Sequence, residues 1–369
     1  MSGDPRLREP RSLQRRALLL AAPSLLLGAR TARGAGVYPG VLPGRRLEFP
    51  RDHGAHPEYR TEWWYLTGQL RTRAQRELGF QVTFFRSRPG VADDNRSRFA
   101  PRQLMLAHAA LADPQLARLR HAERAARAAF DLAGAAVDDT RVWIGDWVLA
   151  RSGDAYDTRI DAREFSLALR CASPAPPLLQ GEAGFSRKGP ELRQASHYYS
   201  RPQLAVSGSV SVGGVAEAVT GSAWLDHEWS SEIMAAKAVG WDWLGVNLDD
   251  GGALMAFVMR DVSGAPLWAA AALRDAQGQK ASFAPEEIRF TATRHWRSPR
   301  TGTAYPVAQE IVIGSTHYRV EPLFDDQELD ARASTGTIYW EGAVRLAAEG
   351  KTVGRGYLEL TGYAAPLVL

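Results

Sequence analysis

The sequence predicts an all-β protein of the sandwich or barrel type, and three observations carry that expectation. Apolar and aromatic residues alternate with polar ones over short runs, the period of two that half-buried strands show. Gly, Asp and Pro cut these runs at intervals of about ten residues, as in β-sandwiches and barrels. No sustained heptad competes with them. At 369 residues the chain is also long enough for two domains, each able to bury a core.

Residues 1–36 stand apart. They hold seven arginines against Asp4 and Glu9, a net of +5, which leaves about −1 for residues 37–369 within the formal total of +4. The basic pI of 9.3 thus belongs to the N-terminal stretch, and no nucleic-acid partner is expected. Arg15 and Arg16, the apolar run 17–27 and the small residues 29–36 read as an export signal of the twin-arginine type. The run is too short for a bilayer, which needs about 20 apolar residues, so no transmembrane span is expected in the mature chain. A periplasmic or otherwise secreted location follows. Cys171 is the only cysteine, so no internal disulfide can form; between Arg170 and Ala172 it reads as an inert thiol.

The elements follow in order. Residues 37–51, rich in Gly, Pro and Arg, read as a linker, with order beginning near Asp52. Residues 62–70 (EWWYLTGQL) and 78–85 (LGFQVTFF) flank a charged turn and predict a hairpin, with Phe80, Val82 and Phe84 on one face. Residues 103–112 fit a strand or a helical turn, with His108 as a hydrogen-bonded core histidine. Residues 115–132, rich in Ala and Arg, have helical propensity and predict a short surface helix or an insertion. Strands follow at 142–149, 158–169 and 205–212, and 181–190 reads as a loop exposing Arg187 and Lys188. Further strands are expected at 253–260, 267–274, 288–293, 309–313, 317–321, 338–344 and 355–361. Asp249, Asp250, Gly251 and Gly252 form a strong hairpin turn. P-loop, GxGxxG, HExxH and CxxC patterns are absent from the sequence, so neither a cofactor nor a metal is expected.

Residues 221–252 (GSAWLDHEWSSEIMAAKAVGWDWLGVNLDDGG) hold four of the eleven tryptophans and six carboxylates around one histidine. Extended, residues 223–230 place Trp224, Asp226 and Glu228 on one face and Leu225, His227 and Trp229 on the other. A second strand over 241–248 puts Trp241 and Trp243 on one face and Asp242 opposite, among Leu244, Val246 and Leu248. A carboxyl on an apolar stripe is costly unless paired or protonated, so each acid here is either a hydrogen-bond hub or a tuned acid. Glu62 shares a face with Trp64 and Leu66, away from Trp63 and Tyr65, and reads as a gatekeeper on a solvent face or a further acid. His53 and His56, near Asp52 and Glu58, read as part of a solvated loop and not as metal ligands.

The strings EWWYLTGQL, GFQVTFFR, LAHAAL, GEAGFSRKG, SHYYSRPQL, GSAWLDHEWSS, GWDWLGVNLDDG, YWEGAV and GRGYLELTGY resemble the AttH and carotenoid 1,2-hydratase family, from about Asp52 onward. The resemblance implies two lipocalin-like antiparallel β-barrel or sandwich domains packed together, here 52–230 and 231–369. It implies either cofactor-free hydration of an isoprenoid double bond or a secreted hydrolase. The family's His-x-Trp pair falls on His227 and Trp229. A tyrosine and an aspartate are implied on a following strand, but residues 254–259 read LMAFVM, so Asp226, Asp242 or Glu62 is left as the acid. As an enzyme the chain would use Asp226 or Asp242 as acid, His227 and Glu228 to hold water, and Trp229, Trp241, Trp243, Trp63 and Trp64 as walls. As a carrier of a lipophilic small molecule, working with an ABC-type transporter, the same aromatics would line a pocket whose acids are paired with residues such as Arg60 or Lys237. As a structural seam they would only join the two halves.

Overall fold

The structure, a computed structural model, describes residues 38–91 and 93–367; the export-signal stretch 1–36 lies outside them. Two antiparallel sheets account for the fold, and the regular helices among the described residues are two single-turn 3-10 segments. No helix of the described residues is long and apolar enough to cross a membrane.

The first sheet has 13 strands and curls into a barrel. Its path runs from Arg120–Arg127 through Leu104–Ala112, Glu77–Ser87 and Thr61–Thr72 to the long hairpin Val215–Glu232 and Ala195–Val212. From there it continues through Phe165–Ala172, Ala155–Asp161, Trp147–Ser152 and Arg141–Ile144 to Ala133–Ala135. Across the closure, the Arg124 guanidinium of the first strand of that path donates to Ile144 O of the penultimate one at 3.0 Å. The alternation seen in the sequence fills the barrel: Trp64, Leu66, Phe80, Val82, Phe84, Leu225 and their neighbours form one buried core.

The second sheet has 10 strands, in the order Lys280–Phe283, Pro266–Arg274, Ala253–Arg260, Gly240–Leu248, Lys351–Leu360, Thr337–Ala348, Thr316–Pro322, Ala304–Ile313 and Ile288–Arg297, with Glu328–Ala331 paired to the side. Leu244, Val246, Trp340, Val344 and Leu358 anchor its own core. Gly251 closes the predicted turn with φ +94°, a conformation that glycine adopts without a steric penalty.

The two sheets belong to one unit, Gly36–Leu369. A third apolar cluster, containing Tyr65, Tyr198 and Trp224 of the first sheet and Trp243, Met255, Phe257 and Ala343 of the second, lies where they meet. Close approach requires Gly79 there: a Cβ on it would sit 2.6 Å from Ala343 Cβ and 2.7 Å from Tyr357 Oη. Gln69 Nε2 stitches the sheets by donating to Val344 O at 2.8 Å.

Several local expectations are corrected. The helical stretch proposed within 115–132 is the edge strand Arg120–Arg127, because pairing to Leu104–Ala112 outweighs the weak helix preference of Ala and Arg. The open choice over 103–112 resolves as strand. Residues 142–149 and 158–169 are each divided into separate strands, the first by a turn at 145–146 and the second by a bend at 163–164. Lys188 is buried instead of exposed. The 38–51 segment is already ordered before Asp52: Val41 is buried against Tyr59, Phe185 and Trp229.

Candidate functional site

Between the sheets lies a cavity of about 340 Å3, and strand register determines what faces it. On the first sheet one row across the strands reads Ser200, Asp226, Tyr65, Thr83, His108. The adjacent row reads Tyr198, Glu228, Trp63, Phe85, Leu106. On the second sheet a row reads Phe257, Trp243, Glu359, Glu341, with Met259 and Trp241 paired beside it. Most of these side chains line the cavity, together with Lys188, Tyr339, Ile233 and Leu367. Because successive residues of a strand point to opposite faces, the wall takes alternate residues of each strand.

Four carboxyls share this apolar space. Asp226 accepts from Tyr198 Oη at 2.7 Å, Ser200 Oγ at 2.5 Å and Trp224 Nε1 at 2.7 Å, and it has no arginine partner. Burial pushes its pKa up to about 7, against the pull of those three donors. Glu228 is neutralised: Lys188 Nζ lies 2.8 Å from it, and Ser196 donates to it as well. The same ammonium sits over the Tyr198 and Phe257 rings, at 4.5 and 4.3 Å. Tyr198 Oη also accepts from Trp243 Nε1 at 3.2 Å, which ties the two walls together.

Glu341 and Glu359 stand directly opposite each other on neighbouring strands. Glu359 accepts from Trp241 Nε1 at 2.9 Å, whereas both Glu341 oxygens are buried without a hydrogen-bond partner. Burial raises the Glu341 pKa well above the carboxylate range, and the Glu359 charge raises it further; the Tyr65 and Tyr339 hydroxyls beside it offset only part of this. Burial raises Glu359 too, and the charges of Glu228 and Asp226 act on it in the same direction. The pair therefore retains a proton at neutral pH. His108 is pushed down to about 3 by burial, so it is neutral, and its ring nitrogens meet Tyr339 Oη at 2.7 Å and Ser334 Oγ at 2.9 Å.

The opposite face of the same strands holds a different polar cluster. Glu62 Oε1 meets His56 Nδ1 at 2.8 Å and His227 Nε2 at 2.9 Å, and Arg86 Nε donates to Oε2 at 2.8 Å. The outer nitrogens are held as well, His56 by Asp52 at 3.1 Å and His227 by Tyr199 at 3.1 Å. Burial pushes the Glu62 pKa up, but His227, His56 and Arg86 outweigh it and hold the carboxyl below its usual range. His56 stacks on Trp229 with centroids 3.7 Å apart, and His227 on Trp64 at 4.7 Å. Among the described residues His56, Glu62 and His227 alone bring three metal-ligating atoms within 4.8 Å. Arg86 and the His56 amide already occupy that carboxylate, so the cluster fits an internal ion-pair network better than a cation site.

Of the residues singled out in the sequence, the structure brings Asp226, Glu228, Trp63, Trp241 and Trp243 to the cavity wall, with Glu62 at its border. His227, Trp229 and Trp64 are turned to the barrel side, because each lies one position from a wall residue on its strand. Asp242 is likewise turned into the second sheet, where it meets Arg260 Nε at 2.8 Å and Tyr363 Oη at 3.0 Å. Neither Arg60 nor Lys237 pairs with these acids; Arg86, Lys188 and Arg260 do. The solvent-face reading of Glu62 and the solvated-loop reading of His53 and His56 do not hold, since all three are buried. Residues 51–53 form a 3-10 turn that buries Asp52 and His53, and His56 follows it to reach Glu62 at 2.8 Å.

Sequence reasoning missed Glu341 and Glu359. Both lie within strings that carried the family resemblance, YWEGAV and YLELTGY. Each shares its strand face with one neighbouring tyrosine, Tyr339 or Tyr357, but otherwise with small or polar residues such as Ala343 and Thr361, so neither shows the apolar stripe that drew attention to Asp242.

The sequence profile described as AttH-like matches residues 40–363. A crystal structure of a Nitrosomonas europaea protein described as AttH superposes with a TM-score of 0.83 at 50% identity, covering 88% of this chain and 99% of that one. Kievitone hydratase from Nectria haematococca shares the fold with a TM-score of 0.68 at 14% identity, over 90% of this chain and 97% of that one. No curated protein matches the sequence. With a profile match spanning most of its length, the chain belongs to the AttH-like family.

Proposed function

We propose that the protein catalyses cofactor-free, acid-catalysed addition of water to an isoprenoid-type double bond, or the reverse elimination, in the cavity between the sheets. One observation carries this reading: Glu341, fully buried in the cavity wall, has no cation beside it and no well-formed hydrogen bond on either oxygen, with only the Tyr65 and Tyr339 hydroxyls nearby. A carboxylic acid held neutral in this way can give its proton to carbon. Protonation of the less substituted alkene carbon leaves a tertiary cation, which the faces of Trp63, Trp241 and Trp243 can steady by about 0.5–2 kcal/mol each. A water beside Asp226 then adds to the cation. It loses one proton to that carboxylate, and the Glu359 and Glu341 pair is reprotonated in turn. The alkene gains one water and the protein ends as it began.

A volume of about 340 Å3 is at the small end for pockets that bury a drug-sized molecule, roughly 300–1,000 Å3. It suits a single prenyl arm or a small prenylated compound, with the rest of any long polyene outside. A kievitone hydratase has this fold, so the architecture can house a water addition. The arginine-bearing residues 1–36 support export, and therefore a periplasmic site of action.

The test is incubation of the purified protein with prenylated phenols and short isoprenoid alkenes, followed by mass spectrometry for gain or loss of one water. Turnover by the wild type, with Glu341→Gln slower by about 10²–10⁴-fold, is expected. Tight binding of the lipophile with no turnover by the wild type would instead favour a carrier.

A further inference from the structure

The loop between the cavity-wall strands Glu77–Ser87 and Leu104–Ala112 leaves the barrel at Ser87 and returns at Leu104, and both residues line the cavity. It carries Phe99, 63% exposed, which meets Phe130 at a centroid distance of 5.0 Å. Phe130 and Leu132, 43% and 67% exposed, lie just beyond the edge strand Arg120–Arg127, whose Arg127 pairs with Leu104. Three large apolar side chains are thus held in water beside one end of the cavity.

Two further features distinguish this patch from ordinary surface. Phe130 and Asp131 both sit in the left-handed region, with φ 57° and 60°, where bulky L residues are strained and glycine is the cheap choice. The strain is retained where it holds an aromatic ring outward. The patch is also cationic. The Arg98 guanidinium lies 5.0 Å over the Phe130 ring and that of Arg127 5.9 Å over Phe99. Exposed Arg96 and Arg102 adjoin them, against Asp94 and Asp131, while Asp93 is tied to Arg88.

We propose that this arginine and phenylalanine patch docks the protein on an anionic phospholipid surface, with the Ser87 and Leu104 end of the cavity next to the bilayer. Guanidinium groups pair with lipid phosphates while aromatic rings enter the headgroup region. The apolar tips are few and strung on two loops, which suits shallow insertion better than a protein interface of roughly 800 Å2 per partner.

The test is co-sedimentation with vesicles of phosphatidylglycerol or of phosphatidylcholine. It is run on the full chain and on residues 36–369, the unit that contains both sheets, so that the arginines of residues 1–36 do not supply the binding. The unit should sediment with phosphatidylglycerol vesicles, release with salt, and ignore phosphatidylcholine. Phe99→Ser with Phe130→Ser, and separately Arg96→Glu with Arg98→Glu, should each weaken partitioning by about tenfold or more, with unchanged circular dichroism. The proposal is overturned if the unit fails to bind phosphatidylglycerol, or if both double variants bind as the wild type does. It is equally overturned if the patch proves to be a self-association surface, shown by a dimer in gel filtration that the phenylalanine variant dissociates.

Discussion

Replacing Glu341 with glutamine tests the central physical claim without any knowledge of the substrate. Glutamine keeps the shape of the side chain, cannot ionise, and faces Glu359 across the strand pair as a neutral neighbour. In the wild type the folded-state pKa of Glu341 is raised above its ordinary value of 4.5 by burial and by Glu359. A carboxyl raised in this direction costs nothing below about pH 4, where both folded and unfolded chains are protonated. Above it the unfolded chain releases the proton while the native state must hold it, so wild-type stability falls as pH rises toward the folded value. The variant is free of that loss. It should therefore be the more stable protein at pH 8, by about 1.4 kcal/mol for each pH unit over which the unfolded chain is ionised while the native state still holds its proton. Near pH 4 the advantage should disappear. Urea melts of the two proteins at pH 4, 6 and 8 measure the difference directly. A difference that is independent of pH, or a glutamine variant less stable at pH 8, would show that the carboxylate is already solvated or paired, and the proton-donor role would fall with it.

Other substitutions separate the cavity acids from the structural ones. Asp226 is lifted from 3.8 to about 7, equivalent to about 4 kcal/mol of native-state cost for its ionised form; wild-type stability should decline between about pH 4 and pH 7, and Asp226→Asn should flatten that decline in chemical melts. Because Asn offers one acceptor to the three donors now on Asp226, the variant should also bind ligand differently, which fluorescence of the nearby Trp243 can read. Arg260→Met strands the buried Asp242 and should cost about 3–5 kcal/mol in urea melts while leaving ligand affinity unchanged, whereas Lys188→Met should lower both. Cys171, whose thiol burial pushes up to about 12, should resist alkylation in the native protein and react only after unfolding, as mass spectrometry would show.

Much of the fold was legible because alternation of apolar and polar residues maps directly onto the faces of a sheet. The predicted opposition of Trp224, Asp226 and Glu228 to Leu225, His227 and Trp229 describes the strand Val215–Glu232 as it stands, and the opposition of Asp242 to Trp241 and Trp243 holds in the same way. What a single strand cannot say is which face meets a cavity and which meets a core. Both faces of Thr61–Thr72 are buried; Glu62 is covered by the segment before the strand, whose His56 meets it at 2.8 Å, and that inward fold is a contact the strand's own pattern does not display. The 115–132 stretch failed for a related reason, since edge pairing is a long-range contact that local propensity does not contain. Glu341 and Glu359 come together from residues 18 positions apart through the hairpin formed by Thr337–Ala348 and Lys351–Leu360. Their significance depends on a partner that is missing, and sequence does not display a missing arginine.

That missing partner argues against the remaining reading, in which the acids and tryptophans merely join two halves of the protein. Elsewhere the chain neutralises its buried carboxylates with care: Glu62 with Arg86 and two histidines, Asp242 with Arg260, Glu228 with Lys188. With 45 lysines and arginines in the sequence, cations are not scarce. A seam would gain from the same treatment, or from an apolar isostere, which often equals or exceeds a buried ion pair in stability. Instead two acids face each other directly across a pair of strands, an arrangement that is destabilising when both are charged, and one of them has no cation beside it, only the hydroxyls of Tyr65 and Tyr339. A carboxylic acid kept neutral in a cavity of about 340 Å3 among tryptophans is not what a seam needs, and it is what the proposed proton donor requires.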